Sequence, residues 1–477
     1  MPRSRLARAL VLLALVAGCA HYPCNPELKK FDPQAGYRFG NCASRPEDDA
    51  TFIVLAFSGG GTRAAAFSYG LLEKLRTIPL PQPAGAAPRS LLDEVDVISS
   101  VSGGSFTAAY YGLYRDRIFD GPEFKQRLLY HNVQGDLILK LLNPVNLWKL
   151  ASPTYSRIEL AAEYYDRHLF ENKTFAAMPQ QKRRPFVIIN ATDMSLGARF
   201  EFTQSQFDLL MSDLNRFKVA RAVAASSAFP LLLTPVAVDN HPKGDLREPQ
   251  WVADAIEDLE RSPRRWRMAM NIRSYFDLSR KHIHLLDGGI SDNLGVRGPI
   301  QSLVFFDPIV LEDGKPHPDD KELSILRLVN DHKIKRLVFI IADAKPGDSD
   351  TRDESARTPG FLDVGLTAGS APIANFSFES VQLLQEIKTE FKREKDDPEL
   401  QKLKMYMIHL RFDSIENPHI RRCLQGLGTN FNLPASGVNE LRKQAGELLE
   451  KSKEFGKLME DLKKEAETAT SPVRPPG

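Results

Sequence analysis

An α/β fold with a central, largely parallel sheet flanked by helices is what this sequence predicts, and three observations predict it. Short apolar runs recur at 51–57, 95–101, 186–191, 282–286, 337–342 and 405–410. Stretches with apolar residues at helical spacing lie between most of them. Two runs, TFIVLAF and VDVISSV, end in Gly/Ser turns that open directly into such a stretch. Buried strands alternating with helices imply a parallel sheet with covered faces. The 477 residues are 42% hydrophobic and 26% charged, enough for a sizeable core.

The chain opens MPRSRLARALVLLALVAGCAHYPCN. Arg3, Arg5 and Arg8 lead a short apolar segment, and small residues follow. This is the pattern of a secretory signal; a membrane span needs about 20 apolar residues. Val16-Ala17-Gly18-Cys19 resembles a bacterial lipobox. The resemblance implies cleavage before Cys19, lipidation of Cys19 and residence in the cell envelope, with Ala20 favouring the outer membrane. Residues 1–18 hold three arginines and no acid, so 63 Lys+Arg against 61 Asp+Glu become 60 against 61 once they are removed. A net charge of −1 supports no nucleic-acid partner.

Residues 19–50 read as a tether and irregular lead-in. Cys24 and Cys42 can pair there in an oxidising compartment, or both stay free. Cys423 reads as a lone buried thiol, and no CxxC or zinc-type spacing occurs.

After the run 51–57 comes Ser58-Gly59-Gly60-Gly61-Thr62-Arg63, then a helical stretch over 62–76. Glycines here let the backbone approach a ligand with its N–H groups forward, and a helix N-terminus favours an anion. The target is a phosphate or an oxyanion, or the loop is simply a tight turn. A P-loop is excluded because no Gly-Lys-Ser/Thr follows. A dinucleotide fingerprint would end at Ala64, which is not glycine.

The run 95–101 ends in Ser100-Val101-Ser102-Gly103-Gly104. Ser102 is either a helix cap or the serine of a nucleophile elbow, with Ser100 where G-x-S-x-G has its first glycine. Residues 136–150, DLILKLLNPVNLWKL, read as buried core in preference to a lid over an acyl groove. Residues 243–267 are a charged excursion containing prolines.

The run 282–286 leads into Asp287-Gly288-Gly289. An aspartate at a strand's C-terminal end lies where parallel-sheet active sites form. The alternative is an Asp-Gly turn. Alternation puts His282 and His284 on the face opposite Ile283, Leu285 and Asp287. His-x-His has no third ligand at suitable spacing, so no metal is expected. Residues 345–360 read as a loop, 437–466 as an amphipathic helical region with Leu441, Ala445, Leu448, Leu449 and Phe455 inward, and 471–477 as a disordered tail.

Together the three glycine-bearing segments offer amide donors, a hydroxyl and a base, the set that acyl transfer requires. In this order they resemble the patatin-like phospholipase family, as does Ala225-Ser226-Ser227-Ala228-Phe229-Pro230 between the elbow and the aspartate. The resemblance spans about residues 51–300. It implies a patatin-like three-layer sandwich in which Ser102 is the nucleophile and Asp287 its partner. It matches Gly59, Gly60, Gly61 and Arg63 to the oxyanion loop, with Gly103, Gly104, Gly288 and Gly289 supporting the turns. Ala64 and Ser100 depart from the family's glycines. No metal or organic cofactor is implied, and the substrate would be a membrane lipid ester cleaved by an envelope-anchored phospholipase or esterase. On this reading 51–305 is the catalytic core and 306–470 an extension completing the sheet and a helical layer. The rivals are an α/β-hydrolase with a Ser-His-Asp triad, for which His332, His409 and His419 come late enough, and a non-catalytic lipoprotein that binds lipid or a partner. Head group, acyl chain and oligomeric state are not fixed by these residues.

Overall fold

The computed structural model describes residues 20–42, 49–82, 85, 87–178, 184–230, 232–304, 323–331, 333–347, 356, 358, 360–393 and 402–470. Cys19 with the lipobox, His332, most of 345–360 and the tail 471–477 lie outside the described residues.

In chain order the elements that matter are β1 (Thr51–Phe57), α1 (Gly61–Thr77), β2 (Val95–Val101), α2 (Gly103–Tyr114), α3 (Val133–Leu141), α4 (Pro144–Leu150), α5 (Arg157–Tyr165), β3 (Phe186–Asp193) and β4 (Ala198–Glu201). Then come α6 (Val219–Ser226), β5 (Val236–Asp239), α7 (Gln250–Ile256), α8 (Pro263–Tyr275), β6 (His282–Asp287), α9 (Gly289–Asp292), β7 (Arg336–Asp343), α10 (Phe361–Arg393), β8 (Lys404–Arg411), α11 (Ala435–Lys451) and α12 (Lys453–Thr470).

The sheet runs β5-β6-β3-β2-β1-β7-β8, with β4 paired to β3. β3, β2, β1, β7 and β8 are mutually parallel. Every residue of β1, β2, β3 and β7 is buried, as continuous apolar runs covered on both faces should be. One apolar core joins Tyr37 near the start to Leu462 near the end. The fold is the largely parallel, helix-flanked α/β sheet that the alternating pattern predicts.

β6 departs from the parallel pattern. It runs antiparallel to β3, pairing Asp287 with Ala191, Thr192 with Leu286 and Asp193 with Leu285. On the other side of the sheet β3 pairs Asn190 with Val101. The end of β6 therefore halts level with the residue after Val101, which is Ser102. The carboxylate reaches the site by antiparallel register, not at the C-terminal edge of a parallel strand.

Two further expectations are corrected, at 136–150 and at Cys423, and the charged excursion gains detail. Residues 136–150 are not core: no residue of α4 is buried, and Leu139, Leu142 and Leu147 are exposed while only Leu137 packs, half-buried, against the core. The excursion at 243–267 holds α7 and part of α8, which bury Val252, Ala255 and Ala269 in a separate small cluster. Cys423 is exposed, Cys42 is buried, and Cys24, Cys42 and Cys423 are all free thiols. Burial raises the Cys42 thiol to about 12, which makes it inert.

Candidate active site

Ser102 sits between β2 and α2 with φ 49° and ψ −119°. A non-glycine residue at positive φ is strained, and such strain concentrates at functional turns. The turn closes because its neighbours are glycines. A Cβ on Gly103 would lie 2.0 Å from the Gly61 carbonyl oxygen, and one on Gly104 would lie 2.7 Å from the Phe57 Cβ. The elbow thus packs directly against β1 and the Gly-rich loop. Ser100, where the elbow pattern has glycine, donates its hydroxyl to the Ile188 carbonyl at 3.0 Å and so stays within the core.

The Ser102 hydroxyl donates to Asp287 Oδ2 at 2.9 Å. The Gly289 amide donates to Asp287 Oδ1 at 2.8 Å. Burial raises the Asp287 carboxyl from 3.8 to about 6, and the bonds from Gly289 and Ser102 act against that rise. The segment 225–230 holds this end of β6: the Asp287 amide donates to the Ala228 carbonyl at 3.0 Å and the Gly288 amide to the Ser226 carbonyl at 3.1 Å. Ser226 also accepts the Ser102 amide at 2.8 Å and donates to the Asn190 carbonyl at 2.6 Å.

The Gly-rich loop turns through Gly60 at φ 140° and Gly61 at φ 59°. Gly59 already donates its amide to the Asn293 carbonyl at 3.0 Å. The amides of Gly60, Gly61 and Gly103 meet no acceptor among the described residues. Gly59 is thus occupied inside the fold, although its missing side chain makes room: a Cβ there would stand 3.3 Å from that of Ser102.

Arg63 is not free to touch a substrate. Its guanidinium donates to the Ala344 carbonyl at 2.7 Å, to the Leu427 carbonyl, and to Thr429 Oγ1 at 3.0 Å. Burial lowers its pKa to about 10. Arg63 therefore clamps the turn after β7 and the segment 427–430 beneath the loop, where the Asn430 carbonyl also accepts the Thr62 amide at 2.9 Å. Sequence reasoning missed Thr429 and Asn430, because nothing local marks a carbonyl that will close on a loop more than 360 residues earlier.

The histidines lie elsewhere. His282 and His284 are exposed while Ile283, Leu285 and Asp287 are buried, the alternation the strand requires. His282 bonds Asp239, and His409 bonds Asp343 at 3.0 Å; His419 is exposed. Among the described residues no His/Cys/Asp/Glu group could hold a metal ion.

A family model described as patatin-like phospholipase matches residues 55–300. The chain belongs to that family. The matched span starts within β1 and ends past α9, so it holds all three glycine-bearing segments of the patatin-like site. No curated protein matches. Among solved structures, human GIVD cytosolic phospholipase A2 is similar at 12% identity with a TM-score of 0.45, over 90% of this chain and 62% of that one. The same human protein in complex with methyl gamma-linolenyl fluorophosphonate gives 13% identity and a TM-score of 0.42, over 90% and 61%. The chain thus spans about three fifths of the length of those structures.

Proposed function

We propose that the protein is a lipid acyl hydrolase that uses a Ser102–Asp287 dyad and is held to a bacterial membrane through a lipidated Cys19. The observation that carries the reading is the 2.9 Å bond from the Ser102 hydroxyl to Asp287 at the strained elbow. Ser102 attacks the ester carbonyl carbon while Asp287 takes its proton. A carboxyl near 6 is a stronger base than one near 4 and is still ionised at neutral pH. The amides of Gly60, Gly61 and Gly103 receive the oxyanion. Asp287 then protonates the leaving alcohol; water, deprotonated by the same carboxylate, attacks the acyl-enzyme, and Asp287 returns that proton to Ser102 as the fatty acid leaves.

The substrate is a glycerophospholipid or related lipid ester, in keeping with the family. A fluorophosphonate probe tests the reading: it forms one covalent adduct, located by mass spectrometry on Ser102. Absence of an adduct on folded protein, or an adduct on another residue, rejects it.

A further inference from the structure

Helices α3 and α4 expose one concentrated apolar row. Ile138, Leu139, Leu142, Val145, Leu147 and Trp148 are each 41% to 68% exposed. Single exposed apolar residues are ordinary, whereas a continuous group marks an interaction surface. The polar groups of the two helices are turned to the protein. Asp136 is bonded to His131 and Tyr164, and Lys149 is paired with Glu163. Asn132 and Asn143 cap the helices. These ties fix the apolar side outward.

Two connections give the row a context. The carbonyl of Ala20, the residue after Cys19, accepts from the hydroxyls of Ser152 at 2.5 Å and Thr154 at 3.2 Å, and the Tyr22 amide donates to the Thr154 carbonyl at 3.0 Å. Ser152 and Thr154 follow closely on α4, so Ala20 lies at the end of the row. At the other end, the Gln134 amide on α3 donates to the Phe431 carbonyl at 3.3 Å. The preceding residue, Asn430, bonds the loop that opens α1. The two helices therefore run from the segment that closes on the Gly-rich loop to Ala20.

We propose that α3 and α4 form an interfacial surface that lies in the headgroup region of a phospholipid bilayer and turns the site toward it. Aliphatic side chains with a tryptophan, bordered by Lys140, suit that boundary. An acyl anchor alone tethers a protein without orienting it; a second apolar contact fixes which face looks down. No described helix is long and apolar enough to cross a membrane, so the helices lie on the surface. The use of Ala20 as the neighbour of an anchor draws on the lipidation proposed above, but insertion of the row does not depend on it.

The test uses full-length protein with Trp251→Phe and Trp266→Phe, which leaves Trp148 as the single tryptophan. With vesicles of phosphatidylethanolamine and phosphatidylglycerol carrying brominated acyl chains, Trp148 emission shifts to the blue and is quenched. In otherwise native protein, Leu139→Glu with Leu142→Glu and Leu147→Glu lowers vesicle phospholipid hydrolysis at least about tenfold and leaves a soluble short-chain ester unaffected. Protein that sediments with vesicles while Trp148 emission is unchanged overturns the proposal. So does a dimer, seen by ultracentrifugation, that the glutamates dissolve. Trp148 quenching in a protein without esterase activity would overturn the hydrolase reading and support this surface.

Discussion

The backbone amide of Ser102 donates to the hydroxyl of Ser226 at 2.8 Å. Since Ser226 in turn donates to the Asn190 carbonyl at 2.6 Å, one side chain joins the elbow to β3. Positive φ at a serine costs on the order of 1–3 kcal/mol and persists only where neighbours hold it. Ser226→Ala leaves a buried N–H unpaired, a loss of about 1–3 kcal/mol. Denaturant unfolding should show that loss, and kcat for a short-chain ester should fall about tenfold with KM little changed. Full kcat would confine Ser226 to stability.

The proposed dyad makes unequal demands on the polar residues. Ser102→Ala and Asp287→Asn should abolish fluorophosphonate labelling or ester turnover with circular dichroism unchanged. Loss of a general base costs about 10²- to 10⁴-fold. His284→Ala, His409→Ala and His419→Ala should each stay within about tenfold of native, roughly 1.4 kcal/mol of barrier. A histidine variant as inactive as Ser102→Ala, with its fold intact, would install a triad.

Asp287 sets a pH dependence in two directions. Only the ionised carboxylate accepts the serine proton, so kcat/KM on a neutral ester should rise with pH and level off above about 6. Stability moves oppositely. The folded carboxyl binds its proton more tightly than the unfolded one, so folding weakens as pH climbs from 3.8 to about 6. The buried charge costs up to roughly 3 kcal/mol above that window. Asp287→Asn should therefore be relatively more stable than native protein at pH 8 than at pH 4, read from chemical denaturation. A flat activity profile from pH 5 to 8 would exclude Asp287 as the base.

Gly60→Ala should act on the transition state. A Cβ there meets Arg63 at 3.1 Å, and φ 140° disfavours any side chain. Displacing the amide should lower kcat about 10²- to 10³-fold with a smaller change in KM. A pure KM effect would indicate a phosphate-holding loop.

Lipidation has its own test. Cys19→Ser should end metabolic labelling by fatty acid and release the protein from membranes. Persistent labelling would rule out the lipobox.

The strands and turns could be read in advance because their causes are local. The apolar runs of β1, β2, β3 and β7, the glycines around Ser102 and the alternation in β6 all act within a few residues of themselves. The direction of β6 could not be read, since pairing partners are chosen across the sheet. Asp287 still comes level with Ser102, because it pairs in register with Ala191 and its amide bonds the Ala228 carbonyl. The bonds of Arg63 could not be read for the same reason: its acceptors Ala344, Leu427 and Thr429 are distant in sequence. The leucines of 136–150 misled because composition alone does not separate an apolar stretch facing the core from one facing outward.

The position of Asp287 is fixed at its own end of β6, by the pairing to Ala191 and the bonds to the segment 225–230, and not by the chain leading to it. That chain includes α7 and α8, which bury Val252, Ala255 and Ala269 in a small cluster of their own and join the main core at Tyr275. Changes of length before α8 should therefore leave the register of the last residues of β6 in place. The chain thus carries, between β5 and β6, a stretch whose length and surface are set apart from the contact between Ser102 and Asp287.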